Sequence, residues 1–384
     1  MNLDLPVVIV GGGVIGLAVA RELARAGVAP VLLLDRHPSP GQGSTSRANG
    51  GVRAQWATRC NVEFSKFTIA ELARLQEETG GMPGLVQAGY LFMTGTEEGA
   101  AALRRGFELQ RECGVPVEWL EPKGVLERAP FVRAEGLVAG TFCPTDGFVD
   151  PHGVVQALAK QGREAGADLR FETEVSAIRA EEGHFVLATS RGDFRAGWLV
   201  NAAGPEAAEL GAFLGVDVPV HPVRRNLACT EPVPGYPEVI PMCVDRDTGV
   251  LIRRESGGFL IAYSDPKEPP GKDSNFDDWF LQQVAERIGN RFPFLQSVPI
   301  DKKKCWAGLY PETPDHHAIV GPTPAHPRFV QAVGFGGHGI MHSLAAGRAI
   351  REIVTEGTSK TLDIRPLRLS RFAEGDLTVE PAVL

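Results

Sequence analysis

Nowhere in the 384 residues do about 18 apolar side chains follow one another without interruption, so no membrane-spanning helix is expected. Blocks of basic residues are missing too, and the formal net charge is −8, which argues against nucleic acid or an anionic membrane surface as the main partner. The six cysteines (Cys60, Cys113, Cys143, Cys229, Cys243 and Cys305) include no C-x-x-C pair. Such scatter supports neither a zinc knuckle nor a disulfide framework, and reads as the thiols of a cytoplasmic protein. Internal repeats and low-complexity tracts are lacking. The apolar stretch from Val7 to Ala20 has no basic lead and is broken by glycine at its centre, unlike a secretory signal. A chain of this length exceeds one core, and two domains are expected.

What is present is concentrated first in Leu5 to Asp35. Val7, Val8, Ile9 and Val10 form a short β-branched run with no polar face, the pattern of a strand covered on both sides. Gly11, Gly12 and Gly13 turn the chain. Ile15, Val19, Leu23 and Ala26 then recur at three and four residues, the buried stripe of a helix ending near Gly27. Val31 to Leu34 makes a second strand, closed by Asp35.

This is a βαβ unit with G-x-G-x-x-G at Gly11, Gly13 and Gly16. Gly11 allows the tight turn, Gly13 lets the backbone approach a pyrophosphate, and Gly16 lets helix and strand pack closely. The helix N-terminus at Val14 and Ile15 presents N–H groups to the same pyrophosphate. Asp35, 19 residues after Gly16, can accept from both ribose hydroxyls and would repel a 2′-phosphate, which disfavours NADP. These residues specify a dinucleotide and leave NAD and FAD both open. The loop from Arg36 to Gly51 that follows is too rich in Ser, Thr and Gly for a core, and offers hydroxyls and bare N–H groups instead. Arg53 comes next, then a helix around Asn61 to Thr79.

The order G-S-T-S-R-x-x-G-G-x-R after the βαβ unit resembles the FAD-dependent D-amino acid oxidase superfamily. Within it, the chain is most similar to the branch of sarcosine oxidase, dimethylglycine dehydrogenase and dye-linked proline dehydrogenase. Three later segments carry the same resemblance: W-L-V-N-A-A-G from Trp198, G-L-Y-P-E-T-P-D-H-H from Gly308, and G-F-G-G-H-G from Gly334, leading into a helix that starts near Gly339. The resemblance implies an α/β fold. Residues 1–80, 145–215 and 308–384 would form a Rossmann-like, glutathione-reductase-type FAD-binding domain. Residues 81–144 and 216–307 would form an α+β substrate domain on a mostly antiparallel sheet, with a hairpin across Glu255 to Gly258 and a helix near Phe276 to Phe292.

On FAD the resemblance places Gly11, Gly13, Val14, Ile15, Gly16, Asp35, Arg36, Ser44, Thr45, Ser46, Arg47 and Gly51. A backbone group near Val175 would meet the adenine, and the FAD backbone would pass close to the small Ala203 and Gly204. Gly308, Gly336, Gly337, His338, Gly339, Ile340 and Met341 would surround the ring, where the late helix N-terminus stabilises negative charge on its pyrimidine. The positions of the covalent cysteine or histidine of some relatives fall on Gly308 and on Ser46 or Arg47, so FAD is expected to be non-covalent. The usual aromatic two residues after Gly204 is replaced by Glu206. Asp315, His316 and His317 are not read as a metal site, because adjacent histidines cannot converge on one ion.

Arg53 matches the arginine that grips the substrate carboxylate in monomeric sarcosine oxidases, and a guanidinium is a charged bidentate fork; an arginine on a phosphate or a surface carboxylate is the plainer alternative. The second cation of those oxidases falls on Met341, and their oxygen-activating lysine has no counterpart around Phe259 to Tyr263. A dehydrogenase is therefore expected over an efficient oxidase. His338 would position or polarise above the flavin, or be a buried structural histidine; Tyr263 would line the pocket. The implied reaction is oxidation of a C–N bond in a sarcosine-, dimethylglycine- or proline-like amine or amino acid, by hydride transfer with hydrolysis of the imine. The electron acceptor would be a carrier protein, a quinone or oxygen, and related enzymes occur as single chains and in homo- or hetero-oligomers. A 2-hydroxy acid or glycerol-3-phosphate dehydrogenase, and a non-catalytic flavoprotein subunit or assembly factor, are the competing readings.

Overall fold

The computed structural model describes residues 1–382. Alternation along the first strands sets its layers. In Asn2–Val10, Val7 and Ile9 are buried among helices while Val8 enters a separate apolar cluster on the opposite face. In Ala29–Leu34, Val31 and Leu33 go one way and Leu32 and Leu34 the other. A run without polar residues is what a doubly covered strand requires.

These strands lie in a six-stranded sheet ordered Ile319–Pro322, Phe329–Val333, Trp198–Asn201, Asn2–Val10, Ala29–Leu34, Asp168–Arg170. All neighbours are parallel except Ile319–Pro322 against Phe329–Val333. Helices Val14–Arg25, Pro151–Glu164 and Gly339–Glu356 supply one face, and Arg59–Glu78 packs on Gly339–Glu356. The closeness of two of them depends on Gly347, where a Cβ would lie 2.8 Å from the Ala18 carbonyl oxygen. Ile178, Phe185 and Leu187 of a three-stranded antiparallel sheet (Val175–Glu181, His184–Thr189, Gly192–Ala196) cover the other face.

The second large sheet has eight strands, in the order Trp306–Glu312, His221–Cys229, Gly258–Ala262, Leu251–Glu255, Met242–Asp245, Tyr90–Thr94, Ala139–Cys143, Glu118–Leu120. Only Met242–Asp245 and Tyr90–Thr94 pair in parallel. The α/β architecture with a mostly antiparallel second sheet is thus the one expected. The helix expected near Phe276 to Phe292 is shorter, Trp279–Ile288. Asp277 accepts the Trp279 N–H at 3.0 Å, and Gly289 and Asn290 end the helix before Pro293 opens a 3-10 turn.

Trp306–Glu312 carries the chain from the eight-stranded sheet back to the six-stranded one. The turn that follows is pinned from two sides. Thr313 Oγ1 donates to the His317 carbonyl at 2.7 Å, and Arg371 makes a two-pronged pair with Asp315 at 2.7 and 3.0 Å. Both charges are buried, so Thr313-Pro314-Asp315 serves as structure. No helix among the described residues is long and apolar enough to cross a membrane.

Candidate functional site

A long cleft opens at the carboxyl ends of the first strands, where open α/β sheets take their ligands. Gly11 sits at φ 115°, and a Cβ there would lie 2.2 Å from the Ala202 carbonyl oxygen; at Gly16 it would lie 1.9 Å from that of Gly11. The turn therefore closes only on glycine. The 3-10 turn Ser44–Arg47 folds back on the N-terminus of the helix Val14–Arg25, with Thr45 Oγ1 accepting the Val14 N–H at 3.2 Å. Asp35 braces the other side, its two oxygens accepting the N–H groups of Gly12 (2.5 Å) and His37 (2.7 Å). Glu206, the departure noted in the sequence, pairs with Arg36 at 2.8 Å.

Of the residues read as cofactor contacts, Gly11, Gly13, Val14, Ile15, Asp35, Arg36, Ser44, Thr45, Gly51, Val175, Ala203, Gly204, Gly336, Gly337, Gly339 and Ile340 all line this one cleft. Others do not reach it. Gly16 packs on Gly11, the Ser46 hydroxyl donates to the Gly43 carbonyl at 3.0 Å, Met341 is buried among the helices, and His338, expected above the flavin, is buried and lines neither this cleft nor its neighbour. Gly308, Arg47 and Tyr263 instead line a smaller neighbouring cavity with Arg225 and Asn49. Gly308 has its own steric reason: a Cβ would stand 2.6 Å from that of Arg47. Tyr310, given no role in the sequence analysis, lines both cavities and packs its ring on Gly337.

Arg53 is buried and lines neither cavity. Its Nη1 donates to the Gln55 carbonyl and its Nη2 to the Ala382 carbonyl at 2.5 Å. The guanidinium carbon lies 3.6 Å from the centroid of the Trp56 ring, which meets the His338 ring edge-on at 5.1 Å. Burial lowers the Arg53 pKa to about 10, so it stays charged. Beneath it Asp146 accepts the Ala54 N–H at 2.9 Å and Gln55 Nε2 at 3.1 Å. Burial raises the Asp146 carboxyl to about 6, against the opposing pull of these bonds and of Arg53. Burial also pushes the Tyr90 and Tyr310 hydroxyls up. Asp146 and Tyr90 were missed from the sequence. One stands in a C-P-T-D-G turn and the other opens an apolar strand, and nothing local marks either.

His338 Nε2 lies 3.2 Å from the His316 carbonyl, while its buried Nδ1 has no partner among the described residues. A carbonyl accepts only, so Nε2 carries the hydrogen and Nδ1 a free lone pair. Burial takes the His338 pKa down to about 3, and the ring is neutral at working pH. Behind it Trp56 Nε1 donates to Ser65 Oγ (2.8 Å), which also meets His342 Nε2 (3.0 Å). Glu312, 3.1 Å from His316 Nδ1, holds that ring's pKa above the usual histidine value.

Comparison with known proteins agrees with this geometry. The family described as DAO, FAD dependent oxidoreductase, matches residues 6–353. Glycine oxidase of Geobacillus kaustophilus is 31% identical, over 95% of this chain and 96% of its own. The mitochondrial dimethylglycine dehydrogenase of Rattus norvegicus is 28% identical over 97% of this chain, which spans 45% of that protein. The crystal structure of L-proline dehydrogenase from P. horikoshii superposes with a TM-score of 0.91 at 28% identity, covering 98% of this chain and 100% of the other.

Proposed function

Because the chain belongs to the DAO family of FAD-dependent oxidoreductases, we propose that it oxidises the C–N bond of a secondary amine or amino acid of the sarcosine, dimethylglycine or proline type. FAD, when bound, supplies the hydride acceptor. The Gly11–Gly13 turn and the Ile15 N–H would hold its pyrophosphate, Asp35 its ribose, and the Gly336–Ile340 turn its ring, while the Val14 N–H is taken by Thr45. The fit rests on the turn being closed to any Cβ at Gly11, with its open side towards the cleft.

One observation carries the substrate reading: a buried, charged Arg53 that spends two of its five N–H donors on neutral carbonyls and keeps three for a carboxylate. His338 would offer its Nδ1 lone pair to the amine N–H of a sarcosine- or proline-type substrate, a contact that an uncharged tertiary amine such as dimethylglycine cannot make, and the Trp56 ring holds both side chains in place. The amine must be uncharged for its lone pair to assist removal of hydride, and the imine then hydrolyses in water. Catalysis is mainly orientation of the C–H bond, with no strong base required from the chain.

The flavin is proposed to be non-covalent, since no cysteine lines the cleft among the described residues and Gly308 has no side chain. Dehydrogenase action, with a carrier protein or quinone as acceptor, is favoured because no lysine lines either cavity among the described residues. We assign 1–80, 145–215 and 308–384 to the cofactor domain and 81–144 and 216–307 to the substrate domain; the membership of the two large sheets supports this division except at 308–312, which pair with His221–Arg225 in the eight-stranded sheet. Cytoplasmic location agrees with six free thiols.

Anaerobic mixing of the FAD-loaded protein with sarcosine, dimethylglycine and L-proline tests the proposal. Bleaching of the flavin band by at least one is expected. Bleaching only by 2-hydroxy acids or glycerol 3-phosphate would replace it with the alcohol-oxidising reading, and bleaching by neither class would leave a non-catalytic flavoprotein. Acid precipitation should leave all the yellow colour in the supernatant.

A further inference from the structure

Beyond the span that the family matches, the segment Asp376–Ala382 returns to the Arg53 corner. Glu380 is fully buried there, and no cation pairs with it among the described residues. Five donors satisfy it instead. Oε1 accepts the N–H groups of Ala57 (3.1 Å) and Ala382 (2.9 Å). Oε2 accepts the Thr58 N–H (3.1 Å), the Thr58 hydroxyl (2.6 Å) and Asn61 Nδ2 (3.1 Å). The carboxylate thereby sits at the positive end of the helix Arg59–Glu78, where it takes the Thr58 N–H and the Asn61 side chain. Its backbone N–H is tied to the Asp315 carbonyl at 3.1 Å. Two residues on, the Ala382 carbonyl reaches Arg53 Nη2.

We propose that Glu380 is a positioning residue: it clamps Asp376–Ala382 onto Ala57–Asn61, so that the Ala382 and Gln55 carbonyls together fix the plane of the Arg53 guanidinium for a substrate carboxylate. The clamp rests on the role of Arg53 proposed above. It is not a plug. Each carbonyl takes one N–H and neutralises no charge, so the fork keeps three donors and its full attraction for an anion. What a loose guanidinium would lose is the alignment that makes two-pronged binding strong.

The test titrates FAD-loaded protein with acetate, read from the flavin spectrum, and with pyrrolidine, which has a ring amine and no carboxylate. Glu380→Gln, which removes the charge and puts an NH2 against either the Ala57 and Ala382 N–H groups or the Thr58 N–H and Asn61 Nδ2, should weaken acetate about tenfold, the loss of roughly one charge-assisted hydrogen bond. Removal of residues 376–384 should do the same, and Glu380→Asp should recover part of the loss. FAD and pyrrolidine affinities should not move. Unchanged acetate binding in both Glu380→Gln and the shortened chain overturns the clamp, and so does an equal loss of acetate, pyrrolidine and FAD, which marks a general structural role. Arg53→Lys separates the two proposals: if it leaves acetate binding intact, the carboxylate reading of Arg53 has failed, whatever Glu380 does. Hydrogen exchange on the unmodified protein needs no variant. Saturating acetate should slow exchange at the Ala57, Thr58 and Ala382 amides, and no change there also overturns the clamp.

Discussion

Replacing Asp146 with asparagine should stabilise the protein by an amount that grows with pH. The carboxyl is fully buried and raised from 3.8 to about 6, so holding it ionised in the folded chain costs about 3 kcal/mol at neutral pH. The sign follows from proton counting. Below about pH 4 the group is protonated whether the chain is folded or not. Between there and about 6 the folded chain binds the extra proton, so stability falls as pH rises, and above about 6 the whole penalty is present. An asparagine carries none of it. Its Oδ1 can keep the Ala54 N–H, and its Nδ2 would face Gln55, whose Oε1 is buried without a partner and can turn to accept. That turn sacrifices the Gln55 bond to the Tyr90 carbonyl, an offset of about 1 kcal/mol that does not vary with pH. Urea unfolding of Asp146→Asn and the parent protein at intervals from pH 4 to 7, with FAD in equal excess, isolates the pH-dependent part. A stability difference that stays flat over this range refutes the reasoning, and would mean that the Arg53 charge, not burial, governs Asp146.

Gly16→Ala should yield colourless protein, because the new Cβ would stand 1.9 Å from the Gly11 carbonyl oxygen and force the cofactor turn open; the flavin-to-protein absorbance ratio reads it. Arg371→Leu should cost about 3–5 kcal/mol by thermal unfolding, since Asp315 would be left buried without its cation. Burial alone would push Asp315 up, yet the Arg371 bonds outweigh it and its pKa lies below the usual value. The stability from this pair is thus full above the ordinary carboxylate pKa and fades as pH falls below it. Arg53→Lys should raise KM for a carboxylate-bearing amine about tenfold or more with little change in kcat, since the charge survives and the fork does not. The rate of flavin reduction should climb with pH through the bound amine's pKa, and a flat profile would count against hydride loss from the free amine.

How much of this was legible beforehand differs by residue. The strand at Val7–Val10, the turn at Gly11 and Gly13, and the late helix at Gly339 were all readable, and the residues they place line a single cleft. Gly308 was read by what it lacks, a cysteine; its cause is Arg47 packed against it. The extent of the helix Trp279–Ile288 was overestimated, because Phe276 and Phe292 extend the apolar pattern on either side of it, Phe292 standing just before the 3-10 turn Pro293–Ser297. Arg53 was singled out, but its partners were not: Asp146 lies 92 residues from Ala54, and Ala382 lies 329 from Arg53.

The sequence by itself determined the βαβ turn, the layers and the cofactor class. Those depend on sterics and side-chain period over a few neighbouring residues, where the absence of a Cβ or a repeat of two or 3.6 suffices. Only the tertiary structure decided which charges survive burial and what faces what at Arg53. That corner is assembled from residues 53–56, 146, 338 and 380–382, and burial and hydrogen-bond pairing follow from where distant stretches of chain meet.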